Sequence, residues 1–169
     1  MKQAKTNQES ISETVTRDDR WLADKMYDLW EDHFEDVPRV NKVLIKFSKK
    51  SKRQLGAIGW LQNRTKKIDK LLKESEPGDD SRVSLINITS YFKEASVPEY
   101  VVLGTIAHEM CHYAHGFNSP LKQIYDHPHK GGVIRKEMTK RGLSDIYKKS
   151  RIWLKENWRN FLILKTKSS

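Results

Sequence analysis

The sequence predicts a single α+β domain, on three observations. Trp21, Leu22, Met26, Leu29, Trp30 and Phe34 recur at spacings of one, three or four, the apolar stripe of a helix. Three short β-branched runs follow, at 40–47, 55–61 and 83–89. A long apolar helical stretch and two further helical stretches then fill the second half of the chain.

The elements follow in order. Residues 1–16 carry no periodic pattern and are expected to be a disordered lead-in, with the domain proper at 17–165. Asp18 or Asp19 can cap the first helix, which should run to about Phe34. The second strand, LGAIGWL, holds two glycines, which suggests close packing or a bulge. Residues 62–81 read as a charged insertion with a short helix, KKIDKLLKE, and a turn at Pro77-Gly78-Asp79-Asp80. The third strand is VSLINIT. Ser96, Pro98 and Glu99 mark the start of the next helix, which runs to about Gly116 and is apolar on most sides, so it should be buried and central. Gly131-Gly132 precede a helix over about 133–141, stopped by Gly142. Ser144 can cap a last helix through Trp153, while 161–164 suits helix or strand equally.

Composition narrows the class. The chain has 169 residues, enough for one core, and its five Trp, six Tyr and five Phe can anchor that core despite 32% charged residues. No apolar run approaches the roughly 20 residues of a membrane span, and residues 1–16 lack the apolar stretch of a signal peptide. The expectation is a cytoplasmic protein, or a nuclear or nucleoid-associated one, not secreted and without a membrane partner. Cys111 stands alone, which excludes an internal disulfide and a multi-cysteine zinc ribbon.

The net charge of +10 is uneven. Segment 41–75 holds 11 basic and 2 acidic side chains, and 135–169 holds 11 and 3, while the stretch between them holds 4 and 7. A basic excess attracts phosphate backbones, so a nucleic-acid partner is expected to use segments 42–73 and 135–167. The second of these interleaves cations with Tyr147, Trp153, Trp158 and Phe161, which either stack on unpaired bases or belong to the core.

The chemistry concentrates at His108-Glu109-Met110-Cys111-His112. Residues four apart on a helix share a face, so both imidazoles can bind one zinc ion. Glu109 sits one step round, where it can take a proton from a metal-activated water and return it to the leaving amine. This is the HExxH pattern. Gly104 and Thr105 are small and leave room beneath the ligands. Cys111 lies off the histidine face and reads as a small buried hydrophobe.

A catalytic zinc takes three protein ligands and keeps one position open. His115, His127, His129 and Glu137 are the candidates. His115 lies too far along the helix axis for one ion. Position 118 is Asn, where the metzincin pattern needs a third histidine. Glu137 would suit a thermolysin-like arrangement. His129 is favoured because it directly precedes the two glycines and the next helix, and His127 is its rival. Tyr113 or Tyr125 could stabilise the developing oxyanion.

These segments together resemble the SprT-like zinc metalloprotease family, the Spartan-type protease core, over roughly residues 19–142. The carriers are the aromatic-rich opening helix, the strand SLINIT before the helix with HEMCH, and His129-Lys130-Gly131-Gly132-Val133. Family members often show His-Gly-x-x-Phe or Trp at that last place, so Lys130 and Val133 depart from it. The resemblance implies a compact zincin-like fold, with helices flanking a small three-stranded antiparallel sheet. It implies His108, His112 and His129 as zinc ligands and Glu109 as the catalytic acid/base of a metalloendopeptidase. DNA-associated proteins are among the substrates it suggests, although this chain has no cysteines for the ribbon that many members append. The alternative is a basic nucleic-acid-binding protein whose zinc is structural and closed by a fourth ligand such as His127.

Overall fold

A computed structural model of the chain describes residues 15–75 and 80–168. Most of the expected lead-in, 1–14, and most of the expected turn at 77–80 lie outside the described residues. Helix α1 is Asp19–His33, β1 Asn41–Ser48, β2 Gly56–Trp60 and α2 Lys66–Glu74. Then come β3 at Asp80–Thr89, α3 at Glu99–Ala114, α4 at Val133–Lys140 and α5 at Ser144–Lys167. Single 3-10 turns at Ser90–Lys93 and Lys130–Gly132 precede α3 and α4.

The fold is α+β, but the expected antiparallel sheet is corrected to a mixed one. Strand order is β1-β3-β2, with β1 parallel to β3 and β2 antiparallel to it. The physical reason is the connection. After β2 the chain crosses the sheet as α2 and returns as β3 between the two earlier strands. The stretch from Ser48 to Asp80 is long enough for the crossover that parallel neighbours require. Strand β2 is left as an edge.

Alternation along the strands sorts two cores. Val43, Ile45 and Phe47 of β1 and Ile86 and Ile88 of β3 face the main core, with α1 and α3. Leu44 and Leu85 face the other way, onto Ile68 and Leu72 of α2. The charged insertion is therefore a small amphipathic helix closing the outer sheet face.

Local chemistry explains the helix ends. The Asp18 carboxylate accepts from the Trp21 amide at 2.8 Å, capping α1, whose Leu22, Met26, Leu29 and Trp30 are buried. Helix α3 is buried on most sides, as its composition predicts, and its Thr105 and His108 positions line a cleft. It stops at Gly116, which is left-handed at φ 82°, and the Phe117 amide returns to the His112 carbonyl at 2.9 Å. Ser144 does not cap α5, because Leu143 holds the cap position and no side chain bonds there. The ambiguous segment 161–164 continues α5 as helix, with Phe161 buried against the main core.

Helix α5 crosses α3 at Gly104. A Cβ on Gly104 would collide with Ser150 Oγ, which bonds instead to the carbonyls of Tyr100 at 2.9 Å and Ile146 at 2.6 Å. The small residue before the motif thus serves helix contact, and together with Thr105 it also lines the cleft at the histidines. No helix among the described residues is long and apolar enough to cross a membrane.

Candidate metal centre

His108 and His112 lie one turn apart on α3, with ring centroids 4.8 Å apart. Between α3 and α4 the chain loops out and returns at Pro128-His129. That return sets His129 Nε2 at 3.2 Å from His108 Nε2 and 3.0 Å from His112 Nε2. All three potential ligand atoms lie within 4.8 Å of one another, and among the described residues this is the one group of His, Cys, Asp or Glu that could hold a metal ion. His127 is exposed and stands outside it.

The donor set fits a cation. Nitrogen ligands at 2.0–2.1 Å on a tetrahedral zinc stand about 3.3 Å from each other, close to the two spacings from His129 of 3.2 and 3.0 Å. One Nε2–H of His129 cannot bond well to two imidazole nitrogens at once, so hydrogen bonding alone does not account for the triangle. Burial lowers the pKa of His108 to about 4 and of His112 to about 3, helped by the neighbouring imidazoles. Each therefore keeps a free lone pair at neutral pH.

Glu109 is 5% exposed, on the floor between α3 and β2. Burial raises its pKa to about 8, and a hydrogen bond from the Ile58 backbone pulls the other way. A Cβ on Gly56 would stand 2.8 Å from Glu109 Oε1 and 2.7 Å from Thr105 Cγ2, so the strand reaches the carboxylate only because residue 56 has no side chain. Of the two β2 glycines, Gly56 fits the close packing expected, whereas Gly59 has nothing within 4 Å of its Cβ position.

A cleft of about 640 Å³ opens over these groups. Residues 53–58 form one wall, and Tyr147, Ser150, Arg151 and Leu154 of α5 form another. No local sequence pattern marks the α5 wall, since only the helix crossing brings it to the histidines. Helix α2 does not line the cleft.

The other site candidates have different work. His115 is buried and its Nε2 lies 3.1 Å from Glu137 Oε2, while Glu137 Oε1 accepts from Arg141 Nε at 2.7 Å. Burial would raise the Glu137 pKa, but His115 and Arg141 outweigh it and hold the carboxyl below its ordinary range. This network joins α3 to α4, and through the Arg141 bond to the His33 carbonyl it reaches α1. Tyr113 points away from the cleft, fully buried, with its hydroxyl donating to Asn41 Oδ1 at 2.8 Å. Tyr125 packs its ring on His115, centroids 4.8 Å apart. Neither tyrosine lines the cleft; Tyr147 does. Cys111 is wholly buried, and burial pushes its thiol pKa far up.

The aromatics of α5 pack within the protein. Trp158 stacks on Phe161 at 5.1 Å and donates Nε1–H to the Lys52 carbonyl at 2.9 Å. The faces offered for base stacking are thus largely taken, although Lys148, Lys149, Arg151, Lys155 and Arg159 are exposed.

Comparison with known proteins adds no relative. No family model matches the chain, no curated protein matches it, and no solved structure matches it. The geometry of the centre must carry the functional argument.

Proposed function

We propose that this chain is a zinc-dependent metalloendopeptidase of the HExxH type, similar to the SprT-like proteases. The observation that carries the reading is the convergence of His108, His112 and His129 at an open cleft whose floor is the Glu109 carboxylate.

His108, His112 and His129 would hold the metal through Nε2. Bound there, zinc would supply a Lewis acid for the scissile carbonyl and acidify the attacking water. Glu109 would accept that water's proton on a carboxylate oxygen and pass it to the departing amine. Burial raises its carboxyl pKa, which favours holding the proton once it is accepted, while the Ile58 backbone favours the ionised form needed first. The free edge of β2 would bind substrate, because an extended peptide can add to an exposed strand through main-chain hydrogen bonds. Tyr147 and Arg151 offer donors from the opposite wall for developing negative charge. The exposed cations of α5 favour a substrate associated with nucleic acid.

A closed structural zinc site would need a fourth protein ligand, and among the described residues none joins the three histidines. The test is a matched pair, wild type and Glu109→Gln, both assayed for zinc and for cleavage of an unfolded protein. The expected result is equal zinc and a rate lower by about 100- to 10,000-fold in the variant. Equal rates would end the reading.

A further inference from the structure

The edge strand beside the centre is not open along its whole length. Strand β2 pairs with β3 in the register Gly56↔Ile88, Ile58↔Ile86 and Trp60↔Ser84. The Thr89 amide bonds to the Leu55 carbonyl at 2.9 Å, and the Leu61 amide to the Val83 carbonyl at 2.8 Å. In an antiparallel pair, bonded residues alternate with unbonded ones. Positions 55, 57, 59 and 61 therefore turn their peptide groups toward β3, and Gly56 and Ile58 turn theirs toward the free edge.

At Ile58 that edge is already used. The Ile58 amide bonds to the Glu109 carboxylate, and the Ile58 carbonyl accepts from Asn118 Nδ2 at 3.1 Å. The direction of the Asn118 side-chain amide is set by its backbone. Asn118 is the one non-glycine residue with positive φ among the described residues, at 50°. Ser84 Oγ donates to the Asn118 carbonyl at 2.7 Å, and Ser84 in turn accepts from Asn41 Nδ2 at 3.0 Å, next to the buried Tyr113 hydroxyl. On one side of it Phe117 rests edge-on against His112, and on the other Ser119 is buried. A left-handed residue held this firmly beside a functional cleft signals a designed position. The cleft also ends here, since Ile58, Phe117 and Asn118 line it and Gly59 and Trp60 do not.

We propose that Asn118 is a specificity-determining end-stop. Its side-chain amide occupies the Ile58 carbonyl, so a substrate strand bonds to the Gly56 peptide groups and cannot extend its ladder past Ile58. The preferred substrate is then an extended, unfolded segment that needs few residues on the Asn118 side of the scissile bond and gains nothing from more. This inference rests on the peptidase reading above.

The experiment uses zinc-loaded, full-length protein in the Glu109→Gln background, so that binding is read without turnover. Two series of fluorescent peptides are built from a sequence the wild type cleaves, one lengthened at the amino end and one at the carboxyl end. Anisotropy gives Kd for each. Affinity in one series should level off early. In Asn118→Gly, which keeps the left-handed backbone and removes the amide, that series should resume and gain about 2- to 10-fold, the worth of one added backbone hydrogen bond. A series that levels off at the same length in both proteins overturns the end-stop. So does a uniform loss across all peptides, which would mark Asn118 as structural only. Should Asn118→Gly not fold, the side-chain amide resonances of Asn118 in the Glu109→Gln protein decide. They should stay unshifted at peptide saturation, and displacement toward the free-amide position overturns the proposal. A wild type that holds no zinc and cleaves nothing would defeat the peptidase reading itself, a different result from either.

Discussion

His129 Nε2 lies 3.0 Å from His112 Nε2, although the two residues are 17 apart in the chain. The loop between them encloses His127 as well, yet leaves that side chain in solvent. The contact leads to a direct prediction about metal content. His129→Ala should lose most bound zinc by elemental analysis, and His127→Ala should keep one zinc per chain. Equal loss in both variants would show that the loop rearranges around the ion.

The carboxyl of Glu109 gives metal-free protein an alkaline limb of stability. Its pKa is raised by burial from 4.5 to about 8, so ionisation is less favourable folded than unfolded, and stability should fall as pH rises from about 4.5 through about 8. Burial acts oppositely on His108 and His112, lowered from 6.5 to about 4 and about 3. The unfolded chain takes up those protons first, so stability should also fall as pH drops below 6.5. Glu109→Gln should remove the alkaline limb and keep the acid one. Urea midpoints across pH on chelator-treated protein check this, and an unchanged alkaline limb would contradict it.

The two glycines of β2 should respond differently to alanine. At position 56 the new methyl meets Thr105 and Glu109, which should destabilise by roughly 1–3 kcal/mol and lower kcat by displacing the carboxylate. At position 59 it meets nothing, and stability and rate should hold. Denaturant melts and a protein-cleavage assay on both variants test the pair; similar behaviour would mean that β2 does not press on Glu109.

Tyr113 joins α3 to β1 through buried Asn41. Tyr113→Phe leaves the Asn41 carbonyl oxygen without that donor and should destabilise by about 1–3 kcal/mol. Zinc content and kcat of the folded variant should not change, because the hydroxyl lies outside the cleft. A selective loss of kcat would restore Tyr113 to the oxyanion role.

Much of the secondary structure was legible because its causes are local. The stripe of α1, the Asp18 cap, the stop at Gly116 and the amphipathic KKIDKLLKE each depend on residues a few positions apart. The tail at 161–164 was not legible, since its helix is decided by packing of Phe161 on the main core. The sheet misled for a similar reason. Strand patterns report which face is buried, and they carry no record of which strand lies beside which.

By itself, then, the sequence determined that His108 and His112 share one face of a buried helix, with Glu109 a step away, because 3.6 residues per turn leaves no other arrangement. Tertiary structure decided what surrounds them: His129 over His127, Gly56 against the carboxylate, Tyr147 and Arg151 on the far wall, and Asn118 across the edge strand. Those relations join residues far apart in the chain, and only packing of the helices on a mixed sheet brings them within reach.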